Sequence, residues 1–512
     1  MIEMREIGMI ILLSFVFSSA VNSQTYCDSK YNFVWIMGDM DTDTVTTDKY
    51  GGCEIDFNTS PPSYELHPKS VGISFQNASM SSKEGELIFY SNGCAVYNKL
   101  DVIMENGDSL NPGEVYEFGC PYSGYVGFQN MISIPDSYND SIYYLFHISL
   151  QFNPNPNSII VVQSQYLYYT KINMHLNSGY GKVVEKNIPI LIDTNLITTP
   201  LTATKHANGH DWWLVTPDRW GNSFNLILLN ESGPQYFGKQ FIGINTSPIA
   251  EGGQGKFSPS GDRFAWYHPE NGLFLYDFNR ETGVLSNFEH IDIPFGDFIS
   301  GGCEFSPSGR FLYVNHNTSL FQLDLMEENI QNSLTHIADY DGFGDPLPTA
   351  FFFMERTPNN KIIVNAVNGS QYLHVIQEPD SEGLACRFEQ HSIKLPTINN
   401  FTLPHFPNYR LGQLGEPLCD SIWVSTDHGE VGVKGNQYKV APNPAFDYLR
   451  IVSFENEYIK NIEVSLYDTH GSLVLSSKQT EIDLSDLTSG IYICRITDDT
   501  GYLQIEKVVV AH

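Results

Sequence analysis

Between Phe33 and Leu411 the apolar residues fall in short runs bounded by Gly, Pro, Asn, Asp and Ser, among them Phe33 to Gly38, Glu86 to Asn92 and Ile142 to Phe146. Asp211 to Val215, Phe224 to Leu229, Phe264 to Tyr267 and Lys361 to Val364 follow the same pattern. Runs of this length between turn residues predict strands. An aromatic content of 13% favours the same reading, because a pleated, half-buried surface suits flat rings.

One unit returns almost intact. Phe257-Ser-Pro-Ser-Gly261-Asp-Arg-Phe264 recurs as Phe305-Ser-Pro-Ser-Gly309-Arg-Phe311, an offset of 48 residues, and each copy follows a Gly-Gly pair. A strand follows each turn, and a second comes after it (Leu273 to Phe278; Leu320 to Leu325). Weaker copies start at Ile134-Pro135, at Asp211-Trp212-Trp213 and at Thr357-Pro358, giving about seven units between Tyr26 and Leu411. A period of roughly 40 to 50 residues with about four strands per unit predicts propeller blades. Each blade has two apolar faces that only neighbours can cover, so the ring must close. The expected closure pairs a strand within Tyr26 to Met37 with the last unit near Leu403 to Leu411.

Leu87-Ile-Phe-Tyr-Ser-Asn-Gly93, Val96-Tyr-Asn98 and Met104-Glu-Asn-Gly107 resemble a family of seven-bladed propellers of the YVTN/WD40-like kind, found in exported proteins of Bacteroidota. Lys205-His206, Asn208-Gly209 and Asp211-Trp212-Trp213 look like its next landmark. These motifs are structural punctuation and imply architecture, not chemistry.

After Gln413 a Gly-, Asp- and Ser-rich stretch reads as a linker, and alternating segments from Tyr448 to Val510 predict a small β-sandwich. The expected fold is all-β, a seven-bladed β-propeller followed by this sandwich. Its boundaries are 1–23 for a signal peptide, 24–412 for the propeller, 413–437 for the linker and 438–512 for the sandwich. The last segment closely resembles the type A C-terminal sorting domain of the type IX secretion system. Pro442-Asn443-Pro444 with Asp447 match its opening, Asp468 and Gly471 its middle turn, Gly490 and Tyr492 its "L-x-x-G-x-Y" region, and Lys507 its closing strand. The resemblance implies Sec export to the periplasm, then the type IX translocon and its sorting machinery as partners. The destination is the medium or the outer-membrane surface.

The N-terminus fits export. Ile7 to Phe17 is an apolar run too short for the ~20 residues of a membrane span, and small residues follow it, so it reads as a secretory signal cut after Ser23 or after Ala20. No later stretch could span a bilayer. All eight cysteines come after it, in a compartment where disulfides persist, and Cys94–Cys120 or Cys27–Cys53 are the expected short-loop pairs. A net charge of −31 disfavours nucleic acid and anionic lipid as partners.

Local chemistry is sparse. Asp39, Asp41 and Asp43 alternate and could face one calcium ion, but nothing at EF-hand spacing follows, so a solvated acidic loop is favoured. His206, His210 and Asp211 suggest a base or a metal ligand, yet Asn208-Gly209 predicts a turn, where helical spacing loses its meaning. Trp212 and Trp213, with His206 and Asp211, are the candidate ligand contacts, for example with sugar rings, although blade filling is the commoner use of such rings. Catalytic residues are not identifiable: there is no Gly-x-Ser-x-Gly elbow, phosphate loop or complete Asp-box. The expected function is a non-catalytic binding module for a surface protein or a carbohydrate; the alternative is a secreted hydrolase or lyase with its site at the channel mouth.

Overall fold

The computed structural model describes residues 27–39, 49–67, 72–158, 160–196, 200–246, 253–294, 300–415, 438–442, 445–453, 462–467, 473–485, 487–497 and 503–510. The chain divides into two compact units, 1–423 and 424–512. The fold is all-β, a propeller followed by a β-rich C-terminal unit.

Seven antiparallel sheets make up the described part of the first unit, and each is built from strands consecutive in sequence. The last five have four strands apiece and the first two have three. The repeated Pro-Ser-Gly segment makes the turn between the first and second strands of the fifth and sixth sheets (Gln254–Phe257 to Arg263–His268; Cys303–Phe305 to Phe311–His316). Gly261 (φ +72°) and Gly309 (φ +76°) supply the left-handed backbone there, which a residue with a Cβ adopts only under strain. The serines tie the turns down: Ser258 and Ser260 donate to Asp262, while Ser308 donates at 2.5 Å to Asp380, in the loop between the last two strands of the seventh sheet.

Between sheets the faces are apolar and aromatic. Phe224, Phe264, Trp266 and Tyr276 fill the gap between the fourth and fifth sheets, and Phe311, Tyr313, Phe351 and Ile362 that between the sixth and seventh. Trp212 and Trp213 belong to this packing. Both are 1% exposed; Trp213 lies edge-on to Phe237 at 4.8 Å and donates its indole N–H to the Arg280 carbonyl at 2.8 Å.

Closure differs from expectation. Strand Val34–Asp39 pairs only with its own sheet neighbour Gly51–Asp56, and residues 403–411 form no strand. Pro404 and Pro407 explain this, since each removes the N–H that a ladder needs. The neighbours are nonetheless those expected, because the first part of a strap formed by residues 399–414 runs beside the segment 31–39. Gly38 N–H donates to Asn399 Oδ1, Trp35 packs on Phe406, and Tyr31 on Tyr409.

One disulfide, Cys94–Cys120, closes a loop of the second sheet around a short helix, Glu114–Gly119. The other expected pair is corrected: Cys53 is a buried thiol outside any disulfide, and the bond that Cys27 makes goes elsewhere.

In the second unit Tyr438–Ala441, Tyr448–Ser453 and Glu481–Asp483 form one sheet, and Leu473–Ser477, Glu463–Tyr467, Gly490–Thr497 and Leu503–Val510 another. Leu449, Ile451, Val464, Leu466, Ile496 and Val508 are the core between them. Two of these strands, Tyr438–Ala441 and Glu481–Asp483, have no counterpart in the sequence reading.

Candidate functional site

The first strands of the third to seventh sheets, with Ala78–Ser81 of the second, surround an axis, and the strap passes through it. At the end where these strands begin, Phe75 stacks on Phe401 (5.4 Å, 8°), and Phe128 contacts Phe75, Phe401, Phe352 and Phe353 at 5.4–6.1 Å. Phe352 and Phe353 are buried, whereas Phe75, Phe128 and Phe401 are half-buried and form an aromatic mouth.

Behind the mouth lies a charged cluster. Lys256 Nζ bridges Glu304 (2.9 Å) and Glu355, and His405 Nδ1 of the strap stands 3.6 Å from Glu355. Gln129 Nε2 donates to the Gly255 carbonyl at 2.7 Å and reaches His405 Nε2 at the same distance. All of these side chains are at least nine-tenths buried. Burial raises the Glu355 carboxyl to about 7 and the Glu304 carboxyl above its usual range, although Lys256 opposes both shifts. Burial drives His405 well below its ordinary value, with the Lys256 charge acting in the same direction, so the imidazole is neutral. Desolvation would lower Lys256 too, but the two carboxylates outweigh it and the ammonium stays charged.

The strap divides the axis into two cavities of about 30 Å³ and about 10 Å³, both touching Glu355 and each large enough only for water. Past Phe406 it turns over the far end. Asn408 donates to the Pro259 carbonyl, Tyr409 OH to that of Ser133, and Leu414 N–H to that of Ala207. Arg280, 5% exposed, clamps it with bonds to the carbonyls of Lys205 (2.8 Å), Ser260 (3.2 Å), His206 (3.2 Å) and Gly412 (2.5 Å).

His206 and Asp211 lie at this far end, in a turn between Thr202–Lys205 and Trp212–Pro217. His206 Nδ1 accepts from Asn208 N–H and Nε2 meets the Glu281 carbonyl, while Asp211 accepts from Tyr138 OH (2.8 Å) and Asn208 Nδ2 (2.9 Å). The two side chains are spent on the turn, and the indoles of Trp212 and Trp213 have no open face. Asp39 accepts from Ser74 Oγ (2.6 Å) and from Asn400; Asp41 and Asp43 lie outside the described residues. No group of three or more potential metal ligands occurs among the described residues.

Sequence reasoning missed the axial cluster, although the repeat held the signal. Lys256, Glu304 and Glu355 each immediately precede the residue before a Ser/Thr-Pro turn, in three successive units. Equivalent positions in successive blades face one axis, so a cation followed by two anions there predicts a central ion cluster.

In the C-terminal unit, Tyr492 OH donates to the Thr488 carbonyl at 2.8 Å and closes the turn leading into Gly490–Thr497. Pro442 follows the strand Tyr438–Ala441, Asp447 precedes Tyr448–Ser453, and Lys507 lies in Leu503–Val510. Asn443, Pro444, Asp468 and Gly471 lie outside the described residues.

Among curated proteins none matches the chain. Solved structures similar to it include a putative 6-phosphogluconolactonase from Bacteroides uniformis (12% identity, 71% of this chain and 97% of that one, TM-score 0.41). Sqt1 of Chaetomium thermophilum is also similar (13%, 67% and 82%, TM-score 0.36), as is the Dos1 propeller (12%, 61% and 70%, TM-score 0.34). Among the described residues no helix is long and apolar enough to cross a membrane. Residues 439–511 match the family of secretion system C-terminal sorting domains, so the protein is handled by the type IX machinery and exported to the cell surface or the medium.

Proposed function

We propose that the exported propeller is a non-catalytic binding module that takes its ligand at the mouth formed by Phe75, Phe128 and Phe401. The same proposal reads the seven sheets as seven blades and the chain as an exported protein of Bacteroidota. One observation carries it: among the described residues the half-buried rings of Phe75, Phe128 and Phe401 line the mouth, with Asp39 beside them held by Ser74 and Asn400, while Lys256, Glu304, Glu355 and His405 are buried behind them around water-sized cavities. Aromatic rings offer large contact area at small conformational cost, which suits recognition.

The hydrolase or lyase alternative draws on Glu304 and Glu355, the carboxylates that such chemistry would use. Both are engaged by Lys256, and a cavity of about 30 Å³ has no room for a substrate beside them. The test is binding of purified, labelled protein to intact cells and envelope fractions. Wild-type protein should bind saturably and Phe128→Ala should lose most of that binding with its fold intact. Equal binding by the two proteins would sink the mouth as the site.

A further inference from the structure

The side chains beneath the mouth say what kind of ligand it suits. Gln76 and Asn130 flank Phe75 and Phe128 in sequence and are 2% and 1% exposed. Gln76 Nε2 and both polar atoms of the Asn130 amide have no hydrogen-bond partner, which is unusual for groups so deeply buried. Their neighbours show the contrast: Gln129 makes two bonds to the Gly255 backbone, and Gln254 bonds the backbone of Met354 and Cys303. The two orphan amides converge on Gly127, where a Cβ would run into Asn130 Nδ2 and stand 3.2 Å from Gln76 Nε2. Other buried side chains in the propeller also carry an unpartnered atom, among them Asn315, whose Oδ1 has no partner while its Nδ2 donates to the Phe352 carbonyl.

Leaving a buried donor or acceptor unmade costs about 1–3 kcal/mol, so these groups cost stability unless water or a ligand answers them; Gln76 borders the smaller axial cavity, which admits a water, whereas Asn130 lines neither of the two cavities. None is charged, and the nearby carboxylate of Asp39 is already held by Ser74 and Asn400. Aromatic faces beside uncharged, two-way amide groups match a ligand with apolar C–H faces and ring hydroxyls that both donate and accept. Resting on the mouth as the binding site, we infer that the ligand is a neutral carbohydrate, seated against Phe75 and Phe128 with its hydroxyls on the amides of Gln76 and Asn130. Both amides are buried, so this seating requires Phe128 to move aside when the ligand binds.

The experiment is an array of neutral oligosaccharides, with sulfated and sialylated glycans alongside, probed with the whole secreted protein and followed by calorimetry on any glycan retained. The variants are Gln76→Met and Asn130→Leu, which keep side-chain size, together with Phe128→Ala. Expected are binding of a neutral glycan, a loss of at least about tenfold in each variant, and thermal midpoints of the two amide variants no lower than wild type, since apolar replacement of an orphan group is close to neutral or stabilising. Retention of charged glycans only, or of a neutral glycan with no sensitivity to Gln76 and Asn130, overturns the inference. If no glycan is retained while cell binding still depends on Phe128, the carbohydrate is wrong and the mouth stands; if neither depends on Phe128, both fall.

Discussion

The axis of the ring and its mouth are both lined by residues of several blades together with residues of the strap, yet they are built from opposite chemistry. Along the axis, Lys256, Glu304, Glu355 and His405 satisfy one another behind the strap, and the space left admits only water. At the mouth, aromatic rings lie half open over amides that satisfy nothing. Buried charges that neutralise each other specify a geometry and hold a strap in place; half-buried rings over unpartnered amides are the feature on which the proposed binding role rests. Convergence of acids and a histidine in a channel is therefore no sign of catalysis on its own. Accessibility decides, and the acids and the histidine clustered on the axis are inaccessible.

The sharpest way to break the axis is Lys256→Met. It leaves Glu304 and Glu355 buried together without their cation, and a cost of about 3–5 kcal/mol is expected, read as a lower midpoint in chemical denaturation. Arg280→Met releases the strap at Gly412 and also loosens the turns of Lys205–His206 and Ser260. Loss of its four carbonyl bonds should cost about 2 kcal/mol and open 408–415 to limited proteolysis before the rest of the ring. A smaller effect, and one with a pH signature, follows from Glu355. Burial raises its carboxyl from 4.5 to about 7, so the folded state holds the proton more tightly than the unfolded one. The group's contribution to stability is full below pH 4.5 and is lost as pH rises to about 7. Glu355→Gln should flatten this part of the stability profile and gain on wild type above pH 7; a parallel profile would show that the cluster does not titrate there. Smallest of all should be Phe401→Ala, about 1 kcal/mol or less because the ring is half-buried, yet with a clear loss of ligand binding. A Phe401 variant that unfolds the ring, or a Lys256 variant that leaves stability untouched, would erase the distinction between the two regions.

Much was legible beforehand because local turns and alternation are written in contiguous residues. Phe257-Ser-Pro-Ser-Gly261 and its copy fixed the phase of two sheets, and the strand following each turn lies within a residue or two of its expected place. The C-terminal strands Tyr448–Ser453, Glu463–Tyr467 and Gly490–Thr497 were equally visible from alternation, and the sorting family matches over the same stretch. The strap was half legible. Its neighbours were foreseen, but Pro404 and Pro407 turned a ladder into side-chain packing. Trp212 and Trp213, candidate ligand contacts for which the sequence reading favoured blade filling, are filling between blades.

By itself, then, the sequence determined the strand-and-turn units, their repetition and the sorting tail, since each is written in contiguous residues. Only the tertiary structure decided which side chains face the axis together, that the strap occupies it, and that three phenylalanines form the mouth. Phe75, Phe128 and Phe401 are separated by tens to hundreds of residues, and nothing but closure of the ring brings them within 6.1 Å of one another.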